Sequence, residues 1–233
     1  MQGSNLLLVS LSQSDRDLLQ PGLKRIHLEQ KQVLFRSGDV IHAVYFPLTA
    51  IVSLVVELST GEMVEAAMVG CDGVLGAASA LDGRISLSLA IVQLAGDAMA
   101  IDVAGLKTAA LQSESLLSIL IRHEQTVYAQ AQQSAACMAA HHVEARLCRW
   151  LLRARDLSGT DTLMFTQEFL AEMLGVRRTS VSIVAHVLQQ AGMIKYSRGR
   201  IEILNVEGMR ETACECYATV NAHYAALLGA NKV

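Results

Sequence analysis

The spacing of apolar residues divides the chain into a region of strands followed by a region of helices. Between Ile26 and Ala66, short runs in which apolar and polar residues alternate are separated by turn-forming segments at residues 37–39 and 59–61. A period of two places successive side chains on opposite faces of a β-strand. Several such strands, completed by residues 91–101, predict an all-β barrel or jelly roll.

A long helix is predicted from about Ser113 to Ala136. One of its apolar faces is expected to pack against the strand region, and it comprises Leu116, Ile119, Leu120 and Val127. The other face is a narrow stripe with spacings built from three and four, and it comprises Leu117, Ile121, Tyr128 and Ala131. A narrow apolar stripe on a long helix is typical of a seam between two helices. The stripe therefore predicts a homodimer.

Residues 166–192 predict two short amphipathic helices joined by a tight turn. Thr166 is placed to cap the first helix, and Gly175 ends it because glycine adopts the left-handed conformation without a steric penalty. The buried positions are predicted from apolar spacing, and they are Phe169, Leu170, Met173 and Leu174, then Val181, Val184, Ala185 and Leu188. Gly192 ends the second helix. Two such helices form a helix-turn-helix.

The segment after Gly192 returns to a period of two and predicts a β-hairpin, or wing, with its turn at residues 197–199. Between Gly175 and Arg200 the sequence has no carboxylate and five cations, which are Arg177, Arg178, Lys195, Arg198 and Arg200. In a helix-turn-helix, the first residues of the second helix reach base edges in the major groove, where arginine can bind guanine with two hydrogen bonds. The alternative is an ordinary helix pair with a solvated basic rim, which the basic wing disfavours.

The same stretch resembles the winged helix of the cyclic-AMP receptor protein/Fnr (Crp/Fnr) family of bacterial transcription regulators. The resemblance is carried by Thr166, Gly175-Val176-Arg177-Arg178-Thr179-Ser180-Val181-Ser182, Gly192-Met193-Ile194 and Gly199-Arg200-Ile201. It implies DNA contacts by Thr166, Arg177, Arg178, Thr179, Ser180, Ser182, Arg198 and Arg200. Where many members have a glutamate and an arginine, this chain has Thr179 and Ile183. The family's usual half-sites are therefore not assumed.

The resemblance extends upstream, over about residues 10 to 205, and includes the family's cyclic-nucleotide-binding β-roll. Gly70, Gly73 and Gly76 are similar to the glycines that lead into its phosphate-binding cassette. Members that bind cyclic AMP carry a glutamate for the ribose and an arginine for the cyclic phosphate, because a buried anion needs a cation and hydrogen-bond donors. The corresponding pocket residues here are Gly76, Ala77, Arg84, Ser86 and Leu87. Ala77 replaces the glutamate and Ser86-Leu87 replace the arginine and its neighbour, which implies a degenerate pocket that no longer binds cyclic nucleotides.

Composition and charge are consistent with a cytosolic regulator. The net charge is −3, but residues 1–136 hold 8 cations and 13 acidic residues, whereas residues 137–205 hold 9 and 6. A basic C-terminal module on an acidic body fits a DNA-binding protein. No apolar run approaches the roughly 20 residues that span a bilayer, and no secretory leader is seen. We therefore expect a cytoplasmic location and no membrane partner.

The sequence offers no catalytic constellation and no metal or cofactor site of recognisable spacing. The five cysteines include one close pair, Cys214 and Cys216, which is interpreted as incidental because no second pair lies at zinc spacing. The adjacent His141 and His142 point about 100° apart and make a poor metal pair. His123 and His142 are weak haem or metal candidates, and no early cysteine group supports an Fnr-type iron–sulfur cluster.

The predicted fold class is α+β, with a β-roll at residues 1–112, a dimerisation helix at 113–136 and a winged helix with a helical tail at 137–233. The predicted function is a homodimeric, sequence-specific, DNA-binding transcription regulator that cyclic AMP does not control. Its expected partners are double-stranded DNA and a second copy, with RNA polymerase as a further candidate and the effector unknown. The alternative is a ligand-binding or protein-interaction module whose basic C-terminal region contacts a protein partner.

Overall fold

The structure, a computed structural model, describes residues 3–82 and 85–229. Its helices are α1 (Leu6–Ser10), α2 (Gln13–Leu19), α3 (Ala77–Asp82), α4 (Val103–Gln112), α5 (Glu114–Ala140), α6 (Val143–Ser158), α7 (Gln167–Leu174), α8 (Arg178–Gln190), α9 (Val206–Thr212) and α10 (Cys216–Leu227). Its strands are β1 (Lys24–Leu28), β2 (Val33–Phe35), β3 (Ala43–Pro47), β4 (Ile51–Glu57), β5 (Met63–Val69), β6 (Leu89–Leu94), β7 (Gly96–Asp102), β8 (Thr162–Met164), β9 (Ile194–Ser197) and β10 (Arg200–Ile203). Among the described residues, no helix is both long and apolar enough to cross a membrane.

Strands β1 to β7 form two sheets, as the alternating pattern predicts. One sheet has the order β1-β7-β3 and the other has the order β2-β6-β4-β5. Strand β7 pairs antiparallel with both neighbours, so that Ala98 lies opposite Ile26 and Ile101 lies opposite Val44. The fully buried apolar side chains of these strands include Leu28, Val44, Phe46, Ile51, Val52 and Val92. The α+β class with an N-terminal sheet region is confirmed.

The long helix α5 begins where the sequence predicts and ends slightly later. The hydroxyl of Ser113 accepts a hydrogen bond from the backbone N–H of Leu116 at 3.1 Å and so caps the first turn. Leu116, Ile119 and Leu120 are buried as predicted for the inward face of the helix, whereas the fourth predicted residue, Val127, is half-buried.

The described residues fall into two compact units. The first comprises residues 3–54, 68–129 and 222–229, and the second comprises 55–67 and 130–221. The far end of the β4–β5 hairpin therefore belongs with the helix-turn-helix region, and α5 contributes to both units. The boundaries predicted from the sequence lie at 112, where α4 ends, and at 136, within α5, because periodicity does not show which elements pack together.

The second unit is built on a core of aromatic rings between α6, α7 and β8. The ring of Trp150 lies edge-on to Phe165 and Phe169, with centroids 4.9 and 5.8 Å away, and the two phenylalanines stack at 5.1 Å. A three-stranded sheet of order β8-β10-β9 completes the unit. Edge-to-face aromatic pairs add stability beyond their buried area, so this cluster gives the helices a rigid base.

Candidate nucleic-acid interface

Helix α7 has the ends that its sequence predicts. The Thr166 hydroxyl accepts a hydrogen bond from the backbone N–H of Phe169 at 3.2 Å, which confirms it as the N-cap. Gly175 has φ +60, and the backbone N–H of Val176 bonds to the carbonyl of Ala171 at 3.0 Å. This left-handed glycine turns the chain sharply into the second helix.

Helix α8 presents its N-terminus to the surface. Arg177 is its N-cap and its side chain makes no capping hydrogen bond, while the backbone N–H of Ser180 bonds to the carbonyl of Arg177 at 2.9 Å. Arg177, Arg178 and Thr179 are exposed, whereas Ser180 is half-buried. The opposite face of the helix is anchored by the buried residues Val181, Ala185 and Leu188. This is the arrangement of a recognition helix.

The predicted wing is confirmed as a two-residue hairpin. Ser197 pairs with Arg200 across the turn, and the two turn residues, Arg198 and Gly199, both have positive φ, at +49 and +79. Positive φ at both central positions matches the twist of paired strands, and glycine adopts it readily. Arginine adopts it at a cost, yet this turn places the Arg198 guanidinium at the tip of the wing.

Three of the predicted contacts line one open groove between the recognition helix and the wing. Thr166, Arg178 and Arg198 share this groove, which has a volume of about 440 Å³. Arg200 lines a second groove, of about 280 Å³, beside Lys195 on the wing. Arg178 and Arg198 therefore share one groove, whereas Lys195 and Arg200 line another groove on the wing together with Glu202.

Two side chains of the recognition helix already have partners on α7. The Ser182 hydroxyl donates a hydrogen bond to the amide oxygen of Gln167 at 2.6 Å, so it fixes the crossing of the helices. The guanidinium of Arg178 lies 3.6 Å from the carboxylate of Glu168, and both side chains are about two-thirds exposed. Such a pair contributes little to stability, so DNA can replace Glu168 at Arg178.

Sequence reasoning missed Gln167, Glu168 and Tyr196, which the structure places around the same groove. The Tyr196 hydroxyl donates to the carbonyl of Phe165 at 3.4 Å, and burial raises the pKa of this phenol. These residues carry no motif of their own. Only the crossing of α7 with α8 and the packing of the wing bring them to the site.

The predicted effector cassette does not present a cation within the described residues. Ala77 is fully buried at the start of α3, and Leu87 is 84% exposed. The Ser86 hydroxyl is used within its own loop, because it donates to the carbonyl of Ser88 at 2.9 Å and accepts from the N–H of the same residue. Arg84 lies outside the described residues.

Space near the third cassette glycine is filled by apolar side chains. A Cβ atom built on Gly76 would lie 3.2 Å from Ile41 and 3.6 Å from Phe35. The positive φ of Gly76, +85, explains why glycine is needed at this turn. These neighbours offer no hydrogen-bond donor to a phosphate.

The predicted dimer stripe lies on the open side of α5 in the single chain. Ile121 is 49% exposed and Tyr128 is 66% exposed, while Leu117 and Ala131 are half-buried. Large apolar side chains at this exposure are usually covered by a partner when they form a continuous row. A dimer is thus a physically reasonable way to cover the stripe.

Another group of residues comes together although the sequence analysis had left them apart. Cys214 and Cys216 were interpreted as incidental, but their sulfur atoms lie within 4.8 Å of the ligand atoms of Cys137 and His141. His123, considered as a haem ligand, is fully buried and its Nε2 accepts the backbone N–H of Val74 at 3.1 Å.

Comparison with known proteins decides the nature of the second unit. Residues 145–212 match the family model of the Crp-like helix-turn-helix domain. This segment is a Crp-like helix-turn-helix domain. The match begins in α6 and ends in α9, so it includes the recognition helix and the wing. Each predicted DNA contact, from Thr166 to Arg200, lies inside the Crp-like domain.

Solved structures extend the likeness to the rest of the chain. FixK2 from Bradyrhizobium japonicum has a TM-score of 0.70 at 16% identity, with 82% of this chain and 98% of that chain covered. A putative transcriptional regulator of the Crp/Fnr family from Eubacterium rectale has a TM-score of 0.68 at 17% identity, with coverages of 88% and 96%. A CRP-family regulator from Thermus thermophilus has a TM-score of 0.67 at 19% identity, with coverages of 81% and 96%.

These likenesses establish a shared Crp/Fnr fold, and the resemblance noted from the sequence is confirmed. No curated protein matches the chain in sequence. The protein from Eubacterium rectale is described as a putative transcriptional regulator and the one from Thermus thermophilus as a transcriptional regulator. The match to the Crp-like helix-turn-helix domain agrees with the expectation that this chain is not an enzyme.

Proposed function

We propose that the chain is a homodimeric, sequence-specific DNA-binding transcription regulator of the Crp/Fnr type that cyclic AMP does not control. The convergence of Arg178, at the start of the recognition helix, with Arg198, at the tip of the wing, is the observation that supports it best. We expect Arg178 to enter the major groove and Arg198 to contact the phosphate backbone.

Dimerisation follows from the stripe on α5. A two-fold axis along this helix would cover Ile121 and Tyr128 and would present two recognition helices to two half-sites. Without it, one Crp-like domain would offer only a few base contacts. RNA polymerase remains a candidate partner of the bound dimer.

The absence of cyclic-AMP control rests on the cassette. A cyclic nucleotide needs a carboxylate for its ribose and a cation with hydrogen-bond donors for its phosphate. Ala77 stands at the first of these positions, and Ser86 and Leu87 stand at the second. The signal is then of another kind, or DNA binding is constitutive.

The test is binding of the full chain to the DNA upstream of its own gene, measured by gel shift at two salt concentrations with excess unrelated competitor. Specific binding should survive competitor and weaken steeply with salt, since each phosphate contact contributes about 0.9 to the slope of log K against log salt. A fragment of the same composition in scrambled order is the control.

Equal affinity for the genuine and scrambled fragments would contradict sequence-specific binding. Loss of all binding in competitor would favour the alternative, a module whose basic region contacts a protein. The two outcomes are distinct, because the first leaves DNA binding without sequence preference, whereas the second leaves no DNA binding that survives competitor.

A further inference from the structure

Three cysteines and one histidine converge in the second compact unit, outside the DNA-binding groove. The sulfur atoms of Cys137 and Cys214 are 3.5 Å apart, and the sulfur of Cys216 is 3.6 Å from Nδ1 of His141. All four candidate ligand atoms lie within 4.8 Å of one another. All three cysteines are buried, and the histidine is partly exposed.

Local structure explains the convergence. Cys137 and His141 are separated by four positions at the end of α5, and the N–H of His141 still bonds to the carbonyl of Cys137 at 3.0 Å, so both side chains lie on one helical face. Cys214 lies in the link between α9 and α10, and Cys216 is the first residue of α10. Because the chain turns here, Cys214 and Cys216 can both direct their sulfur atoms toward Cys137 and His141, although only one residue separates them.

We propose that Cys137, His141, Cys214 and Cys216 bind one zinc ion. Three cysteines and a histidine are an established ligand set for structural zinc. Tetrahedral zinc–sulfur bonds of about 2.3 Å place two sulfur ligands about 3.8 Å apart, close to the observed separation. A cluster of several irons would need wider spacing, because its cysteines bind different iron atoms. The compact group therefore fits a single ion.

The surroundings supply the outer contacts that such a site needs. The carboxylate of Glu215 lies 3.2 Å from Nε2 of His141, which leaves Nδ1, the nitrogen facing Cys216, free to bind metal. The side-chain amide of Gln133 donates to the sulfur of Cys216 at 3.0 Å. A carboxylate on the outer nitrogen of a metal-bound histidine orients the ring and strengthens it as a ligand.

Charge is also complementary. Arg146 and Arg149 are buried on α6, and among the described residues the Nε atom of each has no hydrogen-bond partner. A zinc ion with three thiolates carries a net charge of about −1, which would balance buried guanidinium charge.

The ion would fasten two parts of the second unit. It would tie the end of α5, next to the start of α6, to the link that precedes α10. Because α6 is the first helix of the Crp-like domain, the site would hold the junction between the predicted dimer helix and that domain. Metal binding itself does not depend on DNA binding, so the two proposals can fail separately.

The test begins with full-length protein purified with a phosphine reductant and without chelators. Zinc, iron and acid-labile sulfide are measured per protomer, and protein stripped of metal is then titrated with cobalt(II). We expect about one zinc per protomer and the intense visible bands of tetrahedral thiolate-bound cobalt. With zinc bound, an alkylating reagent should modify Cys71 but spare Cys137, Cys214 and Cys216 until a chelator is added.

Matched variants assign the ligands. Cys216→Ser and His141→Asn should each weaken zinc binding at least tenfold, and Glu215→Gln should weaken it by about tenfold through its effect on His141. Cys71→Ser, a cysteine outside the cluster, should bind zinc like the wild type. Circular dichroism checks that each variant folds. If a variant does not fold, the cobalt titration of stripped wild-type protein still tests the proposal.

Several results would overturn the proposal. These are cobalt bound without thiolate bands, iron and sulfide in place of zinc, a Cys137–Cys214 disulfide in protein kept under reductant, or alkylation that is indifferent to chelator. Each is read without DNA, so none bears on the DNA-binding proposal.

Discussion

The indole N–H of Trp150 donates a hydrogen bond to the carboxylate of Glu65 at 2.9 Å, and both side chains are buried. Glu65 lies on β5, in the hairpin segment that belongs to the second compact unit, and Trp150 lies at the centre of the aromatic core of α6. A buried donor or acceptor is costly to leave without a partner, so the two groups hold each other in place. It fastens the hairpin end to the Crp-like domain.

Removing this acceptor should destabilise the second unit. Glu65→Leu leaves the indole N–H buried without its partner, so we expect the free energy of unfolding to fall by about 1–3 kcal/mol. Glu65→Gln keeps an oxygen acceptor and should cost less. Trp150 is the single tryptophan of the chain, so its fluorescence during urea unfolding reports on this region directly.

The matched control is Glu62→Leu, which removes an exposed carboxylate from the same hairpin and should change stability by about 0.5 kcal/mol or less. Equal losses from Glu62→Leu and Glu65→Leu would show that the contact with Trp150 does not carry the effect.

Local signals in the sequence were enough to predict the helix-turn-helix and the wing. Thr166 caps its helix, and Gly175 ends it, for reasons that act within a few residues. The alternating strands of the roll follow from the same short-range logic. Burial of Leu116 and Leu120 on α5 also matches the periodicity that predicted it.

Contacts between distant segments could not be predicted. The cysteine cluster joins Cys137 and His141, which precede the Crp-like domain, to Cys214 and Cys216, which follow it, so more than 70 residues separate the two pairs in sequence. The hydrogen bond of Ser182 to Gln167 likewise depends on how two helices cross. A single sequence does not encode these distances in any local pattern.

A substitution at the wing turn should raise the stability of the protein and lower its affinity for DNA. Arg198 occupies the left-handed region at φ +49, which costs an ordinary residue roughly 1–2 kcal/mol, whereas asparagine is favoured in this turn. Arg198→Asn should therefore stabilise the protein by about 0.5–1 kcal/mol while it weakens binding to all DNA sequences. The salt slope should fall by about one. Urea unfolding and fluorescence anisotropy measure the two quantities.

Lys195→Asn is the control for this variant, because Lys195 is exposed on the extended strand β9. It should weaken DNA binding without any gain in stability. If Arg198→Asn leaves DNA affinity unchanged, the wing tip does not contact phosphate.

The proposed contact of Arg178 with a base can be tested by changing Arg178 itself and by changing its partner, Glu168. Arg178→Ala should cost about 1–3 kcal/mol of binding free energy and relax the preference at one base pair. Glu168→Gln should tighten binding several-fold, because it frees Arg178 and removes a negative charge near the phosphates. Anisotropy titrations against a set of single-base variants of the site measure both effects.

A uniform loss on all sequences from Arg178→Ala would make that residue a phosphate contact. A weaker complex with Glu168→Gln would indicate that Glu168 itself contacts a base.

The stripe on α5 predicts a two-fold dimer in solution. Ile121→Asp would place a charge in the seam, so we expect monomers that no longer bind a palindromic site. Arg122→Asp is the control, since the adjacent residue is exposed and points about 100° away. Sedimentation velocity at micromolar protein concentration measures the oligomeric state of each protein. A monomeric wild type, or dimers of Ile121→Asp, would contradict the seam.

The cassette predicts that neither cyclic AMP nor cyclic GMP binds tightly. Leu87 is directed to solvent and the Ser86 hydroxyl is bound within its own loop, so these positions offer a phosphate no charge. Burying an anion without a counter-charge costs several kcal/mol, which is enough to remove affinity at cellular concentrations. Calorimetry of the full chain with each nucleotide up to millimolar concentration should therefore show no saturable heat. A dissociation constant in the low micromolar range for either nucleotide would refute this prediction, and Arg84→Ala would then be the first variant to examine. If Arg84→Ala kept the affinity, the nucleotide would bind outside the cassette. The missing family arginine at Ser86 would then say nothing about which effector the protein binds.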